Sequence, residues 1–155
     1  VVMNINKWTG TLAKLTAQSL HDFREESGDE PMAIFVIDCL PWDGFLALSF
    51  LTQKERDELP GEVSMDEMES WRHYNFNEEM DRWTSESGDW LVETMAEAWE
   101  EAEDDVRDET GKEFLRACVA AAKSPIVQKA LEAFPLSPSF HISVTHADTK
   151  EEFYS

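Results

Sequence analysis

The densest apolar pattern in the chain runs from Met32 to Thr52. Met-Ala-Ile-Phe-Val-Ile-Asp-Cys is followed by Leu-Pro-Trp-Asp-Gly, and then by Phe-Leu-Ala-Leu-Ser-Phe-Leu-Thr. Pro41 presets φ for a turn, and Gly44 suits the positive-φ position that closes it. The spacing predicts a β-hairpin, with strands over 31–38 and 44–52 joined by a longer-than-minimal loop. Ile34 and Val36 fall on one face of the first strand, Phe35 and Ile37 on the other. In the second strand Leu46, Leu48 and Phe50 share one face, and Phe45, Ala47 and Leu51 the other. Strands that are apolar on both faces sit in a sheet covered on both sides.

Upstream, Ile5, Trp8, Leu12, Leu15 and Phe23 recur at three or four, with Ser19 in the gap, which predicts a helix over about 4–27. Gly10 weakens its first turns, so Thr9 or Thr11 is the expected N-cap, and Gly28 the stop. Downstream, Thr52 with Glu55 and Ser64 with Glu67 both have capping-box form. Two short helices are expected there, the first ended by Pro60-Gly61 and the second with Met65, Met68 and Trp71 or Arg72 as its stripe. Trp71 to Phe76 fits helix end, strand or ordered loop, and Asn77 is read as the cap of a turn holding Met80 and Trp83. The next pattern predicts a long helix over 88–109, with Leu91, Met95, Ala98, Ala102 and Val106 inward beside Trp99. Thr110-Gly111-Lys112-Glu113 reads as a break and a new cap, followed by a helix on Phe114, Leu115, Cys118, Val119 and Ala122. Ser124-Pro125 opens a last helix through Phe134. Residues 139–146 alternate, with Phe140, Ile142 and Val144 on one face and His141, Ser143 and Thr145 on the other. That is a half-buried strand added to the hairpin. The expected class is α+β: a small antiparallel sheet of the hairpin 31–52 plus strand 139–146, packed with four or more helices, all in one domain over 1–155 with a loose tail at 147–155. The Val-Val-Met start points either to a native start near Met3 or to truncation upstream.

Composition changes the picture through charge. The net charge is −20 over 155 residues. An acidic balance of this size disfavours nucleic-acid phosphate and anionic membrane, and favours a basic partner; high solubility is the bland alternative. Nine acids and one base, Arg107, lie between Glu93 and Glu109. Cys39 and Cys118 are the only cysteines and fall on apolar faces, which fits reduced core thiols better than a disulfide framework. No stretch reads as a signal peptide and no apolar run approaches the ~18 residues of a membrane span, so a cytoplasmic location is expected.

Chemistry is sparse. His141 and His146 are five apart, no H-E-x-x-H or C-x-x-C occurs, and no metal or other cofactor is expected. No nucleophile elbow or phosphate-cradling glycine loop is present, and no residue is assigned a catalytic role. Asp38 ends an apolar strand beside Pro41, Trp42, Asp43 and Gly44. It fits a turn residue bonding local N–H groups, or a carboxylate in a pocket wall beside an aromatic ring. The aromatic stretch Trp71 to Trp90, with His73 and Tyr74, fits core filling or a recognition surface. Glu97, Glu100, Glu101 and Asp104 are the candidate contacts on the acid-rich helix.

Phe35 to Gly44, Leu48 to Thr52 with Glu55, Trp71 to Phe76 and the closing strand Phe140 to Asp148 resemble a family of uncharacterised bacterial proteins built from a helix, a hairpin, a Trp-containing middle and C-terminal helices with a strand. Such families are often grouped with immunity proteins of toxin systems. The resemblance implies a binding protein and carries over no catalytic residue. The expected function is a non-enzymatic acidic binding protein, of the kind that neutralises a basic toxin or nuclease. The alternative is a small-molecule-binding or enzymatic domain with a pocket near Asp38 and Trp71–Tyr74.

Overall fold

The computed structural model describes residues 4–84 and 86–154. The chain start near Met3 and the last tail residue lie outside them. The fold is α+β, with helices packed on a three-stranded sheet. The hairpin is formed by Met32–Leu40 (β1) and Phe45–Thr52 (β2), joined by a 3-10 turn over Pro41–Asp43. Gly44 closes that turn at φ 59, and an added Cβ would stand 3.2 Å from Ala96 Cβ. Glycine is therefore required twice over, by conformation and by space.

The antiparallel register pairs Phe35 with Phe50, Ile37 with Leu48 and Cys39 with Leu46 on one face. Ile34 with Leu51, Val36 with Ser49 and Asp38 with Ala47 occupy the other. The first face carries the main core, and the second a smaller cluster of Ile34, Val36, Leu51, Met68 and Trp71. Cover on both sides of the hairpin is thus observed, by different parts of the chain.

The third strand, Leu136–Ser143 (β3), pairs with β1 in parallel, so the sheet is mixed and its order is β2-β1-β3. The expectation of an all-antiparallel sheet with its last strand at 139–146 is corrected here. Alternation along a strand tells which face is buried but carries no direction. Direction is set by where the preceding helix releases the chain. The Met32 N–H donates to Pro135 O at 2.8 Å, which starts β3 beside the start of β1.

Helix Ile5–Arg24 (α1) begins after Asn4, whose φ of 58 a short amide side chain tolerates, and not at Thr9 or Thr11. Trp8, Leu12, Leu15 and Phe23 face the core as their spacing predicts. Ser19 is buried with them and accepts the indole N–H of Trp83 at 2.7 Å. Helix Gln53–Glu58 (α2) has the complete capping box of Thr52 and Glu55. Residues 65–70 form a 3-10 helix rather than an α-helix. The segment 73–77 then lines the free edge of β2: Phe50 N–H donates to His73 O (3.1 Å), Phe76 N–H to Leu48 O (2.9 Å), and Leu48 N–H to Asn77 Oδ1 (2.7 Å). Asn77 satisfies the sheet edge, so it does not cap the short helix Asp81–Thr84 (α3).

The acid-rich region departs most from its pattern. Helix Glu86–Glu101 (α4) stops before the acids are exhausted, and Arg107–Lys123 (α5) begins well before Thr110-Gly111. Glu103, Asp104 and Asp105 would lie at the negative end of α4, whereas Asp108 and Glu109 lie at the positive end of α5. The same charge that opposes one helix supports the next. Arg107 fixes the break by donating to Glu100 O (2.7 Å) and Ala102 O (3.1 Å). Thr110 lies inside α5 with its hydroxyl on Val106 O, and Val106 is exposed rather than inward. Pro125–Glu132 (α6) follows Ser124, whose hydroxyl bonds backward to Ala121 O instead of capping forward.

Beyond β3 the chain turns back at 147–149, and Glu152 pairs with Thr145. The Glu152 carboxylate accepts from Val144 N–H (2.8 Å) and from the Ser143 hydroxyl. The tail, expected to trail loosely, is thus tied back: Glu152 holds Ser143 and Val144, and Phe153 and Tyr154 pack against the main core. Cys39 and Cys118 are both buried free thiols, and Cys39 Sγ lies 3.5 Å from Met95 Sδ.

Phe35 and Phe50 are fully buried, with ring centroids 5.0 Å apart. Truncating either to Ala should destabilise the fold by about 3–5 kcal/mol. Equilibrium denaturation checks this, and a loss below ~1 kcal/mol would show that the ring pair is not central to the core.

Candidate functional site: a cleft at Asp38

The second face of the sheet is only partly covered, and the remainder is a cleft of about 340 Å³. Alternation along β1 from Ile34 onward places Val36, Asp38 and Leu40 in its wall, with Phe45 from β2. The 3-10 helix at 65–70 forms the opposite side. Met65 and Met68 are three apart, as are Asp66 and Glu69, so one side of the turn is apolar and the adjoining side acidic. Ser64 fixes its start by accepting Asp66 N–H at 3.2 Å. Tyr74 comes from the segment that lines β2. Thr145, His146, Ala147 and Lys150 close the cleft from the turn after β3.

That turn is rigidly tied. His146 N–H donates to Glu151 O (2.9 Å), and Lys150 N–H to His146 O (2.9 Å). His146 Nδ1 accepts from the N–H groups of Asp148 (3.1 Å) and Thr149 (3.2 Å). An Nδ1 used as acceptor leaves the proton of the neutral ring on Nε2. The ring is 5% exposed and packs on Trp42 with centroids 5.5 Å apart. Lys150 reaches across the mouth, and its Nζ bonds the Asp66 carboxylate and Ala147 O.

Four carboxylates therefore share this cleft (Asp38, Asp43, Asp66 and Glu69), and only Asp66 has an ion pair among the described residues. Asp38 is half-buried near the end of β1 opposite Ala47, and its carboxylate has no hydrogen-bond partner among the described residues. It is not the turn residue that its neighbours in sequence allow. Burial, with the Glu69 charge added, pushes its carboxyl up from 3.8 to about 6. Burial and then the charges of Asp38, Glu69 and Glu78 push the Tyr74 phenol up as well. The interior of the cleft is negative and favours either a proton or a cation.

Of the residues singled out in the sequence, Asp38, Asp43 and Tyr74 come together here. Trp71 is buried in the cluster beneath the 3-10 helix. His73 turns to the main core, 5.2 Å from the Phe23 ring, and its buried Nε2 has no hydrogen-bond partner among the described residues. Burial, then Arg72, lowers its pKa. Trp42 opens into a neighbouring hollow with Trp99 and Asp104, and Arg107 stacks on Trp99 at 5.0 Å. Glu97, Glu100 and Glu101 are exposed on α4 and do not line the cleft. Asp66, Glu69, His146 and Lys150 join the cleft without having stood out in the sequence. Spacing by three links Asp66 to Glu69, but no sequence pattern marks the fold-back that delivers His146 and Lys150.

Among the described residues, no three His, Cys, Asp or Glu side chains converge to hold a metal ion. No helix among them is long and apolar enough to cross a membrane. The chain matches no protein-family model, no curated protein and no solved structure.

Because the Asp38 carboxyl sits at about 6 in the fold against 3.8 ordinarily, the native chain binds more protons than the unfolded one between those values. Its stabilising contribution is complete below 3.8 and is lost as pH rises through about 6. Asp38→Asn should therefore stabilise the protein at pH 7, by at most about 3 kcal/mol, and lose that advantage near pH 3, below the ordinary value of 3.8. Denaturant titrations at both pH values check this; a stability difference independent of pH would show that the carboxyl is not perturbed.

Proposed function

We propose that this chain is an acidic, non-enzymatic binding protein that captures a basic partner, with the cleft at Asp38 seating one of the partner's cationic groups. The observation that carries the reading is the half-buried Asp38 carboxylate, held beside Glu69 with no counter-ion among the described residues. Such a group is an unsatisfied demand for positive charge. The acid-rich stretch 93–109 adds a long-range field. Asp104, Asp108 and Glu109 pair with Arg107, Lys112 and Arg116, while Glu93, Glu97, Glu100, Glu101, Glu103 and Asp105 have no ion pair among the described residues. An inhibitor that neutralises a basic toxin or nuclease fits this description, in line with the resemblance to families grouped with immunity proteins.

A second reading is a small-molecule or enzymatic site, favoured by one observation. Asp38 titrates near neutrality, in the same cleft as a His146 ring whose tautomer is fixed. A carboxyl raised in this way is suited to proton exchange with a bound molecule. A basic protein that occupies the cleft separates the readings in favour of the first.

Replacing Glu97, Glu100 and Glu101 by Gln and Asp104 by Asn tests the steering role of the acid-rich face. Once the partner is isolated by capture from the native lysate, the variant should associate about tenfold more slowly at low salt, with a flatter salt dependence and little change in dissociation. Association equally fast at both salt concentrations would rule out electrostatic capture.

A further inference from the structure

We propose that the cleft takes the side chain of a lysyl residue, with its ammonium group among Asp38, Asp43 and Glu69, and that Lys150 is its built-in competitor. This rests on the reading of the chain as a binder of cations and names the cation.

Three features of the cleft define the ligand. The first is a resident ammonium. Lys150 Nζ is seated at the mouth on Asp66 and Ala147 O, so an aliphatic ammonium already fits one acid of the set. With Lys150 in place about 340 Å³ remains, lined by carboxylates that have no ion pair among the described residues. The second is the apolar wall of Val36, Leu40, Phe45, Met65 and Met68. It suits a methylene stem, since long cationic side chains bury their stems and leave the charge at the tip. The two methionines can adapt to its path.

The third is His146. The residue is nine-tenths buried and borders both the cleft and the neighbouring hollow at Trp42, with Nδ1 occupied by two backbone N–H groups. Nε2–H has no partner among the described residues, and in this proposal it is the donor for an oxygen of the ligand, since an ammonium offers no acceptor. The ligand thus carries a carbonyl or similar oxygen besides its cation. A lysyl residue in a peptide chain meets all three demands: ammonium, methylene stem and amide carbonyl.

The competitor role follows from charge. Lys150 partly neutralises the cleft from a turn fixed by the His146 bonds, so an incoming ammonium meets a weaker field than the four acids alone would supply. Removing the charge while keeping a stem deepens that field.

The experiment is calorimetric titration with N-acetyl-lysine methylamide at low salt. N-acetyl-norleucine methylamide lacks the charge, pentylamine lacks the carbonyl, and N-acetyl-arginine methylamide exchanges the cation. The lysyl probe should bind saturably and the norleucine probe should not. Lys150→Met should tighten the lysyl probe about fivefold and Asp38→Asn weaken it about fivefold, the scale of one partly screened charge pair. Thermal melts of both variants verify that they fold. Pentylamine binding as tightly as the lysyl probe would assign the cleft to free amines and overturn the lysyl assignment, as would tighter binding of the arginyl probe. Absence of saturable binding to the folded Lys150→Met variant would overturn the inference outright. If a basic protein is nevertheless captured by wild type and slowed by the acid-face variant, the binding-protein reading stands without it. Saturable lysyl binding in a chain that captures no basic protein would support the lysyl cleft and overturn the binding-protein reading.

Discussion

Everything in this fold depends on β1 being buried on both faces. Its two side-chain sets cannot share one core, so the chain builds two. Phe35, Ile37 and Cys39 enter the helical side and meet Phe50, Leu48 and Leu46 across the hairpin. Ile34 and Val36 enter the other side, where the 3-10 helix and Trp71, with Leu59, Val63 and Tyr74 at the margin, cover them. Residues of α1, α4, α5 and α6 cover the first face, and the short irregular stretch from Leu59 to Tyr74 covers the second. The second face therefore runs out of cover near the end of β1, at Asp38. The cleft is a consequence of unequal cover on a strand that is apolar on both sides.

The hairpin, its two faces and most helices are legible in the sequence because each rests on periodicity, and periodicity reports burial. Asp38 is legible for the same reason, as the lone carboxylate in an apolar alternation. Direction and junctions are not. The parallel run of β3 depends on the bond between Met32 and Pro135, which joins residues far apart in sequence. The boundary of α4 and α5 is hidden because Thr110 to Glu113 has a capping sequence, whereas the helix starts where Arg107 takes up the last carbonyls of α4. A local signal loses to an ion and a dipole. Asn77 likewise carries a capping residue's chemistry but spends it on the edge of β2.

The half of the site that the sequence hides belongs to the turn after β3. Residues 147–154 are polar, and polarity reads as looseness when no partner is known. Glu152 changes that. Its carboxylate takes the Val144 N–H and the Ser143 hydroxyl, so one acid gives the polar face of β3 a cover that no apolar residue supplies. The returning segment then fixes the turn, and the turn presents His146 and Lys150. The order arises from hydrogen bonds between side chain and backbone, which leave no periodic trace.

The two acidic features of this chain differ in kind. Along 93–109 the acids are exposed, so water and salt moderate their repulsion and their field acts at a distance. At Asp38 the acid is withdrawn from water beside another acid, and the fold carries that as a liability at neutral pH. A surface field needs no particular geometry, and solubility alone is enough to maintain it. A destabilising carboxylate inside a shaped, partly apolar cleft is harder to account for by solubility, because Asn would fill the same space without the charge. Strained electrostatics of this kind is what a ligand of opposite charge relieves on binding. The asymmetry between the two features marks the cleft, rather than the more numerous acids of 93–109, as the one that solubility does not explain.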